Sequence, residues 1–473
     1  MCSQKRQGQE DRQGQQGGQG QALPLRTHRS RHRTHRIGTA VRLVAGLAIL
    51  VMLGTLALSL PGMTMRHLAA RDVLFTATSA LAVTGLSTIV PSRDLTLLGQ
   101  IVLMVLVQVG GVGFMAAAVI VLRLLGRKIS LTDRLTLRDS FGLLEPRAIL
   151  QVTARVVLTA LAIELTGAIL LWLNWRATLG DARAAFYGLF HAVSAFCNAG
   201  FDLFNGLPGH SGLPTDGRTL TIMGSLIVLG GLGIPVLGDL LTLRQRHGRL
   251  SLHSRITLIL YAVLIVVGST GFLLSESHDG SLLAGQPLGR QLELATFHAI
   301  SARTAGFAGL ANLEQLAPSS QMLTMGLMLI GSAPASMGGG VTTGTVAVLV
   351  LSLWAYVRGR PAAQVGGRTI ATEAVRRASA ILTTALLVVG GATWLILMTH
   401  PVTLDRALFE VISAFATCGL TLAFTGELNF FGQIVIMLVM FWGRLGALTI
   451  VAALAQPLPP QPVTYPEETL LIG

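Results

Sequence analysis

Four stretches of this chain read alike: FTATSALAVTGL at residues 75–86, FHAVSAFCNAGF at 190–201, FHAISARTAGF at 297–307 and FEVISAFATCGL at 409–420. In each, a Phe stands four residues before a Ser and a Gly follows near the end, at positions 85, 200, 306 and 419. The third copy is one residue shorter between its Ser and its Gly. Each phrase closes a short apolar segment, at 72–81, 184–196, 291–302 and 404–416. Segments of about ten to thirteen residues are too short to cross a hydrocarbon core of about 30 Å. Longer apolar runs flank them in pairs: 39–60 and 96–125, 148–173 and 219–243, 255–275 and 320–357, 376–399 and 430–455. A span, a short segment and a second span therefore recur four times. Irregular backbone at membrane depth survives only where it is buried in protein or lines water. The pattern predicts an all-α integral membrane fold: eight transmembrane helices with four re-entrant pore half-helices, in fourfold pseudo-symmetric repeats.

Composition agrees. The chain has 473 residues, 51% of them hydrophobic, only 12% charged, and 54 glycines. A soluble protein carries about 25% charged residues. A secreted disulfide scaffold, a soluble Rossmann enzyme and a disordered protein are thereby excluded. Cys2, Cys197 and Cys418 form no CxxC pair and no Cys/His cluster, which speaks against a zinc site and a disulfide framework. The net charge of +13 could suggest nucleic acid, but the basic residues lie between spans and in one tail, so no nucleic-acid partner is expected. Residues 1–38, Gln/Gly-rich and then Arg/His-rich, read as a disordered cytoplasmic tail, and 456–473 as a second tail.

The boundaries expected are a pore repeat at each of 39–125, 148–243, 255–357 and 376–455. The connectors after the second spans carry Arg123, Arg127, Lys128, Arg134, Arg138 and Arg147, then Arg244, Arg246, Arg249 and Arg255, then Arg358, Arg360, Arg368, Arg376 and Arg377. The positive-inside rule places both termini and these connectors in the cytoplasm, so the half-helices enter from outside.

The chemistry of such an arrangement is that of a pore with a filter. Four half-helices around an axis would point their partly negative C-terminal ends at its centre. The turns after them would offer backbone carbonyls in place of a cation's hydration water. Glycine permits the left-handed torsions such turns require. The candidate filter triplets are Val83-Thr84-Gly85, Asn198-Ala199-Gly200, Thr304-Ala305-Gly306 and Thr417-Cys418-Gly419, and none contains an acid. Potassium bound at these residues is the expected ligand, with no covalent cofactor.

The second spans share a mark as well: Gly110-Gly111-Val112-Gly113, Gly230-Gly231-Leu232-Gly233 and Gly443-Arg444-Leu445-Gly446. Arg444 thus replaces a glycine at membrane depth, where a charge normally faces an aqueous path or a partner. Its two readings are a pore-side barrier to cations and an ion pair with Asp239 or Glu164. Glu164 itself reads either as a coupling-ion ligand or as a satisfied buried acid. The run 320–357 is too long for one plain crossing, and its middle, Gly331 to Thr345, is rich in Gly, Ala, Ser and Thr with Pro334. Gly costs about 1 kcal/mol and Pro about 3 kcal/mol in a helix interior, so a loop is expected there. With Gly331, Pro334, Gly338, Gly339, Gly340 and Thr342, it is the candidate intramembrane gate, together with Arg444.

The four filter phrases, this glycine-rich loop and the phrase MFWGRLGALT at 440–449 resemble the Trk/Ktr/HKT superfamily of potassium transporters, over residues 39–455. The absence of an extra N-terminal helix pair before these spans resembles the Ktr type of membrane subunit. The resemblance implies potassium uptake across the bacterial cell membrane and a homodimer with one pore per subunit. It further implies a cytoplasmic ring of nucleotide-binding, RCK-type regulatory subunits, and sodium stimulation, with Na⁺ as a second bound ion. Lipids are the surrounding partner. Two departures from the family pattern bear on gating: Val341-Thr342-Thr343 stands where relatives place a Lys after the loop glycines, and Gln433 lies near a position where many carry Lys.

Other functions fit less well. Within transport the rival is a pore for another monovalent cation, Na⁺ or NH₄⁺. An intramembrane enzyme could be imagined around His191, His298, Ser194 and Ser301. The histidine position is Thr76 in the first repeat and Glu410 in the fourth, however, and no HExxH motif or GxSxG elbow is present. No GxxxxGK[ST] phosphate loop marks a pump.

Overall fold

A computed structural model describes residues 39–112, 149–243, 248–278 and 280–446. Contacts divide the chain into Met1–Ile37 and Gly38–Gly473, and all described residues belong to the second unit. Both expected tails, most of the first basic connector, Gly113, Arg244 and Arg246 lie outside the described residues.

The first repeat comprises α1 (Thr39–Leu58), the short α2 (Ala70–Ala82), a single turn α3 (Pro91–Asp94) and α4 (Leu97–Val112). The second has α5 (Ile149–Leu179), the short α6 (Asp181–Phe196), α7 (Gly217–Gly231) and α8 (Ile234–Leu241). The third has α9 (Leu252–Glu276), the short α10 (Leu288–Ser301), α11 (Pro318–Leu329) and α12 (Thr343–Val357). After an antiparallel pair of two-residue strands, Gln364–Val365 and Arg368–Thr369, come α13 (Thr372–Thr399), the short α14 (Leu404–Phe415) and α15 (Phe430–Leu445).

Burial sorts these elements into an inner and an outer set. Along the short helices most residues after the first turn are buried, and nearly all of those in the last two turns. The long helices are apolar yet largely uncovered: only 28–33% of the most hydrophobic window is buried in each of Val157–Leu179, Leu252–Glu276 and Thr372–Thr399. At 1.5 Å per residue, these stretches of 23, 25 and 28 residues exceed the roughly 30 Å of a bilayer core. Their bare leucines and valines, such as Leu158, Val266 and Leu387, form a surface suited to lipid rather than water.

The second helices differ from expectation. The run 219–243 is not one straight helix: α7 and α8 meet at a 103° bend. The break falls at Gly233, whose φ is 82°, a torsion that ends a right-handed helix, and Pro235 opens the next one. In the fourth repeat α15 stops at Leu445, before Gly446 at φ 85°. In the third, α11 stops at Leu329 and α12 begins only at Thr343. Thr343–Thr345, expected in the loop, are therefore the first turn of a helix.

Candidate functional site

The four short helices end at one place. Each is followed by a non-glycine residue in the left-handed region: Val83 (φ 57°), Asn198 (φ 58°), Thr304 (φ 103°) and Thr417 (φ 50°). Three of these are β-branched, for which this conformation is a true outlier. Such strain costs on the order of 1–3 kcal/mol per residue and persists only where the surroundings enforce it. Two residues on, Gly85, Gly200, Gly306 and Gly419 also have positive φ, between 69° and 98°.

These glycines close a ring. A Cβ on Gly85 would stand 2.5 Å from the carbonyl oxygen of Ala199, and one on Gly200 would stand 2.7 Å from that of Ala305. A Cβ on Gly306 would fall on the carbonyl oxygen of Cys418, and one on Gly419 on that of Thr84. The contacts run from repeat one to two, two to three, three to four and four back to one. Four equivalent carbonyls, from Thr84, Ala199, Ala305 and Cys418, thus surround a common axis, each against the glycine of the neighbouring repeat. The twelve triplet residues expected at the filter are all brought together here.

The conserved-looking Ser of each phrase lies behind the ring. The Ser79 Oγ accepts from the Gly85 N–H, and the Ser413 Oγ from the Gly419 N–H, each at 3.0 Å. Ser194 and Ser301 instead donate to the carbonyls of Phe201 and Phe307, at 3.0 and 2.7 Å. Sequence reasoning registered these serines without assigning them this work, although their fourfold recurrence was the signal. Replacing Ser413 by Ala leaves the Gly419 N–H buried without a partner, a penalty of about 1–3 kcal/mol. We expect ion selectivity to fall roughly tenfold in a competition uptake assay while the protein still inserts.

Beneath the ring runs the loop 330–342. A Cβ on Gly338 would meet the Thr304 and Ser332 hydroxyls, and one on Gly339 would stand 2.7 Å from the Thr417 Oγ. Only glycine lets the loop pass this close under the ring. The Gly339 N–H donates to the Thr417 Oγ at 2.9 Å, and the Ser332 and Thr304 hydroxyls pair at 2.6 Å. Asn198 joins the set with its amide oriented to accept from the Thr304 Oγ at 3.2 Å and to donate to the carbonyls of Ala195 and Ile227. Gly340, at φ 77°, turns the loop past Ala416, and Thr342 stands at the N-terminal boundary of α12. The Gly331 N–H donates to the Val341 carbonyl at 2.9 Å.

The marks GGxG and GRxG now separate into parts. Gly110, Gly230 and Gly443 are the points where the second helices touch the short ones: a Cβ there would strike the carbonyl oxygens of Leu81, Phe196 and Phe415. The fourth position, Gly233 or Gly446, ends the helix. A broken helix leaves carbonyls without intrahelical partners. For α7 the loop supplies them: the N–H groups of Ala333 and Met337 donate to Gly231 and Gly230, at 3.0 and 3.3 Å, and the Ile234 N–H donates to Ala335. A Cβ on Gly233 would press on the Pro334 carbonyl, 2.7 Å away.

Arg444 also reaches a second helix. Its guanidinium donates to the carbonyls of Gly110 and Gly111 in α4, and also to that of Met337 in the loop. The side chain therefore ties the loop to α4. The expected acid partners are engaged elsewhere. Glu164 accepts from the Gln108 amide at 3.1 Å and from the Cys197 thiol at 3.7 Å, so it is a satisfied buried acid. Asp239 accepts from the Ser251 N–H and the Ser254 hydroxyl at the start of α9. Cys197 and Cys418 are free and buried.

Above the ring opens a cavity of about 430 Å³, with the four filter glycines in its wall. In α3, whose Pro91 lines this cavity, Asp94 is buried, which alone would raise its pKa. The Val90 N–H at 2.8 Å and the Arg66 guanidinium at 2.9 Å hold the carboxyl below its usual range instead.

Comparison with known proteins places this geometry. The family model described as TrkH, cation transport protein, matches residues 22–463. The chain belongs to the TrkH cation transport family. It is similar to the Ktr system potassium uptake protein B of Vibrio alginolyticus, with 35% identity over 88% of this chain and 91% of that one. It is also similar to the potassium/sodium uptake protein NtpJ of Enterococcus hirae, at 34% identity over 93% and 98%. Its fold matches the crystal structure of the potassium transporter TrkH from Vibrio parahaemolyticus, with a TM-score of 0.71, 18% identity and coverage of 90% and 86%. A TrkH-family chain is a multi-pass membrane transport protein and not an enzyme.

In this TrkH-family chain the two histidines, and Glu410 at the same position of the fourth repeat, are braces. The His191 Nε2 lies 3.0 Å from the Asp202 carboxylate, the His298 Nε2 3.0 Å from the Thr324 hydroxyl, and Glu410 accepts from Thr421 and Thr425 at 2.6 and 2.5 Å. Sequence reasoning passed over Arg303. It is buried to 1%, lies 3.7 Å over the Tyr261 ring and donates to the Gly331 carbonyl at 3.0 Å. It anchors the first residue of the loop as Arg444 anchors the middle. Its signal was a lone charge inside an otherwise apolar filter phrase.

Proposed function

We propose that this chain conducts K⁺ into the cell through the four-carbonyl ring, down the ion's electrochemical gradient. The observation that carries the reading is the cyclic contact of each filter glycine with the next repeat's carbonyl oxygen. Carbonyl dipoles without a carboxylate replace the hydration shell of a monovalent cation. An inside-negative potential supplies about 2.3 kcal/mol per charge per 100 mV, enough to accumulate K⁺ without ATP hydrolysis. The names of the two relatives above, potassium uptake protein and potassium/sodium uptake protein, support the ion class. The second of them keeps Na⁺ as the rival reading.

In this proposal the repeats supply eight spans around four re-entrant helices, with both termini cytoplasmic. The loop 330–342, held by Arg444 and Arg303, is the gate. Two copies pair in the membrane, and a separate nucleotide-binding ring beneath them biases the loop. Sodium stimulates uptake. The test is growth of a strain lacking its own K⁺ uptake systems. Expression of this chain, alone or with a nucleotide-binding ring subunit, is expected to restore growth at low external K⁺. Failure in both settings, with insertion verified, would overturn the K⁺ reading.

A further inference from the structure

The cavity above the ring is lined mainly by glycine, threonine and apolar residues, among them Ser87, Thr88, Phe307 and Thr421. One residue in its wall is ionisable: Asp202, two positions after the second filter glycine. No counterpart stands at the equivalent place in the other repeats, which have Ser87, Ala308 and Thr421. The carboxylate is fixed rather than mobile. Its Oδ1 accepts from the Phe204 N–H at 2.7 Å and faces the fully buried His191 Nε2 at 3.0 Å. His191 is itself locked, with its Nδ1 2.7 Å from the Tyr187 carbonyl and its ring packed against Trp175 and Phe204. Among the described residues the other oxygen, Oδ2, accepts no hydrogen bond, and 18% of the side chain is exposed.

We infer that Asp202 is the docking carboxylate of the pore mouth, holding a partly hydrated monovalent cation before it enters the carbonyl ring. A fixed charge at the mouth of a low-dielectric cleft focuses field lines and raises the local counter-ion concentration. The ring itself binds without a net charge, so the capture of ions from dilute solution falls to this one group. His191 is a positioning residue: it occupies Oδ1 and leaves Oδ2 to the cavity. Because Asp202 lies outside the ring, it governs how readily an ion arrives and not how fast it passes.

The inference rests on the K⁺ reading, and one experiment separates the two. K⁺ uptake by the full chain in cells is measured over a range of external K⁺, for the unmodified protein, Asp202→Asn, and Asp202→Asn with Asn205→Asp. Asn205 is exposed in the same wall, so the last variant returns a carboxylate to the cavity. Asp202→Asn is expected to raise the half-saturating K⁺ concentration at least about fivefold, the attraction of two unit charges some 4 Å apart even at the dielectric constant of water. The maximal rate should be kept, and Asn205→Asp should recover part of the affinity. An added impermeant salt should weaken uptake in the unmodified protein more than in Asp202→Asn, since it screens the charge.

An unchanged half-saturation, or a maximal rate that falls in step with affinity, would overturn the inference while leaving K⁺ transport intact. Should Asp202→Asn fail to insert, Asn205→Asp alone is expected to lower the half-saturating concentration, and no change there would overturn it equally. Absence of uptake by the unmodified protein at any K⁺ concentration would instead remove the function itself.

Discussion

Arg444→Gln will raise K⁺ flux at least tenfold when the loop limits transport. The guanidinium makes three hydrogen bonds, two to the Gly110 and Gly111 carbonyls of α4 and one to Met337 of the loop. Bonds of this charged kind contribute about 1.5–3 kcal/mol each, and a shift of 1.4 kcal/mol is tenfold in an equilibrium. Loss of the tie to Met337 alone would therefore move the loop from mostly closed toward mostly open. Arg444→Lys separates two causes. A lysine keeps the charge but not the planar fork that reaches several carbonyls at once. If the tie is what matters, Lys will behave like Gln; if a bare electrostatic barrier is what matters, Lys will behave like the native residue. Tracer uptake in matched membranes measures both, and unchanged flux in both variants would dismiss the latch.

Gly419→Ala is expected to reduce K⁺ uptake at least tenfold, without loss of the protein from the membrane. The new methyl would fall on the Thr84 carbonyl oxygen, which is backbone and cannot swing aside. The residue also sits at φ 98°, outside the conformations open to alanine. The carbonyl that must move belongs to the ring, so the damage falls on ion binding before it falls on folding. Gly426→Ala in the same cavity wall is the control. Nothing lies within 4 Å of its added Cβ, and uptake should be unaltered.

Much of this was legible in the chain, for physical reasons that differ by element. The four short helices could be read because segments of ten to thirteen apolar residues are too short to cross a bilayer core. The four glycines of the ring could be read because a torsional requirement repeated four times leaves the same residue each time. The loop was legible as a run that no helix would tolerate, though its far boundary was not, since Thr343–Thr345 continue into α12. The break in 219–243 escaped because hydropathy does not register a φ angle; Gly233 followed by Pro235 was the available sign.

Long-range partners were beyond reach. That Gly110 meets Leu81 on another helix, or that Arg444 reaches the Gly111 carbonyl 333 residues away, is a matter of tertiary packing. The reading of Arg444 as one half of an ion pair failed for that reason. The carbonyls that a broken helix leaves behind were invisible until the break itself was seen. Arg303 and the four serines were present in the quoted phrases, yet their work lies behind the ring, where only the packing reveals it.

The central claim is that a ring of four backbone carbonyls selects the ion. It is tested most directly by K⁺ and Na⁺ flux into vesicles holding the purified protein, native and Gly85→Ser, each also carrying Arg444→Gln to keep the loop open. A side chain at Gly85 would press on the Ala199 carbonyl, 2.5 Å from its Cβ, and distort the ring without adding charge. The account predicts K⁺ flux well above Na⁺ flux in the Gly85 form and a ratio near one in the serine form. Equal K⁺ and Na⁺ fluxes in the Gly85 form, or a ratio untouched by the substitution, would contradict it.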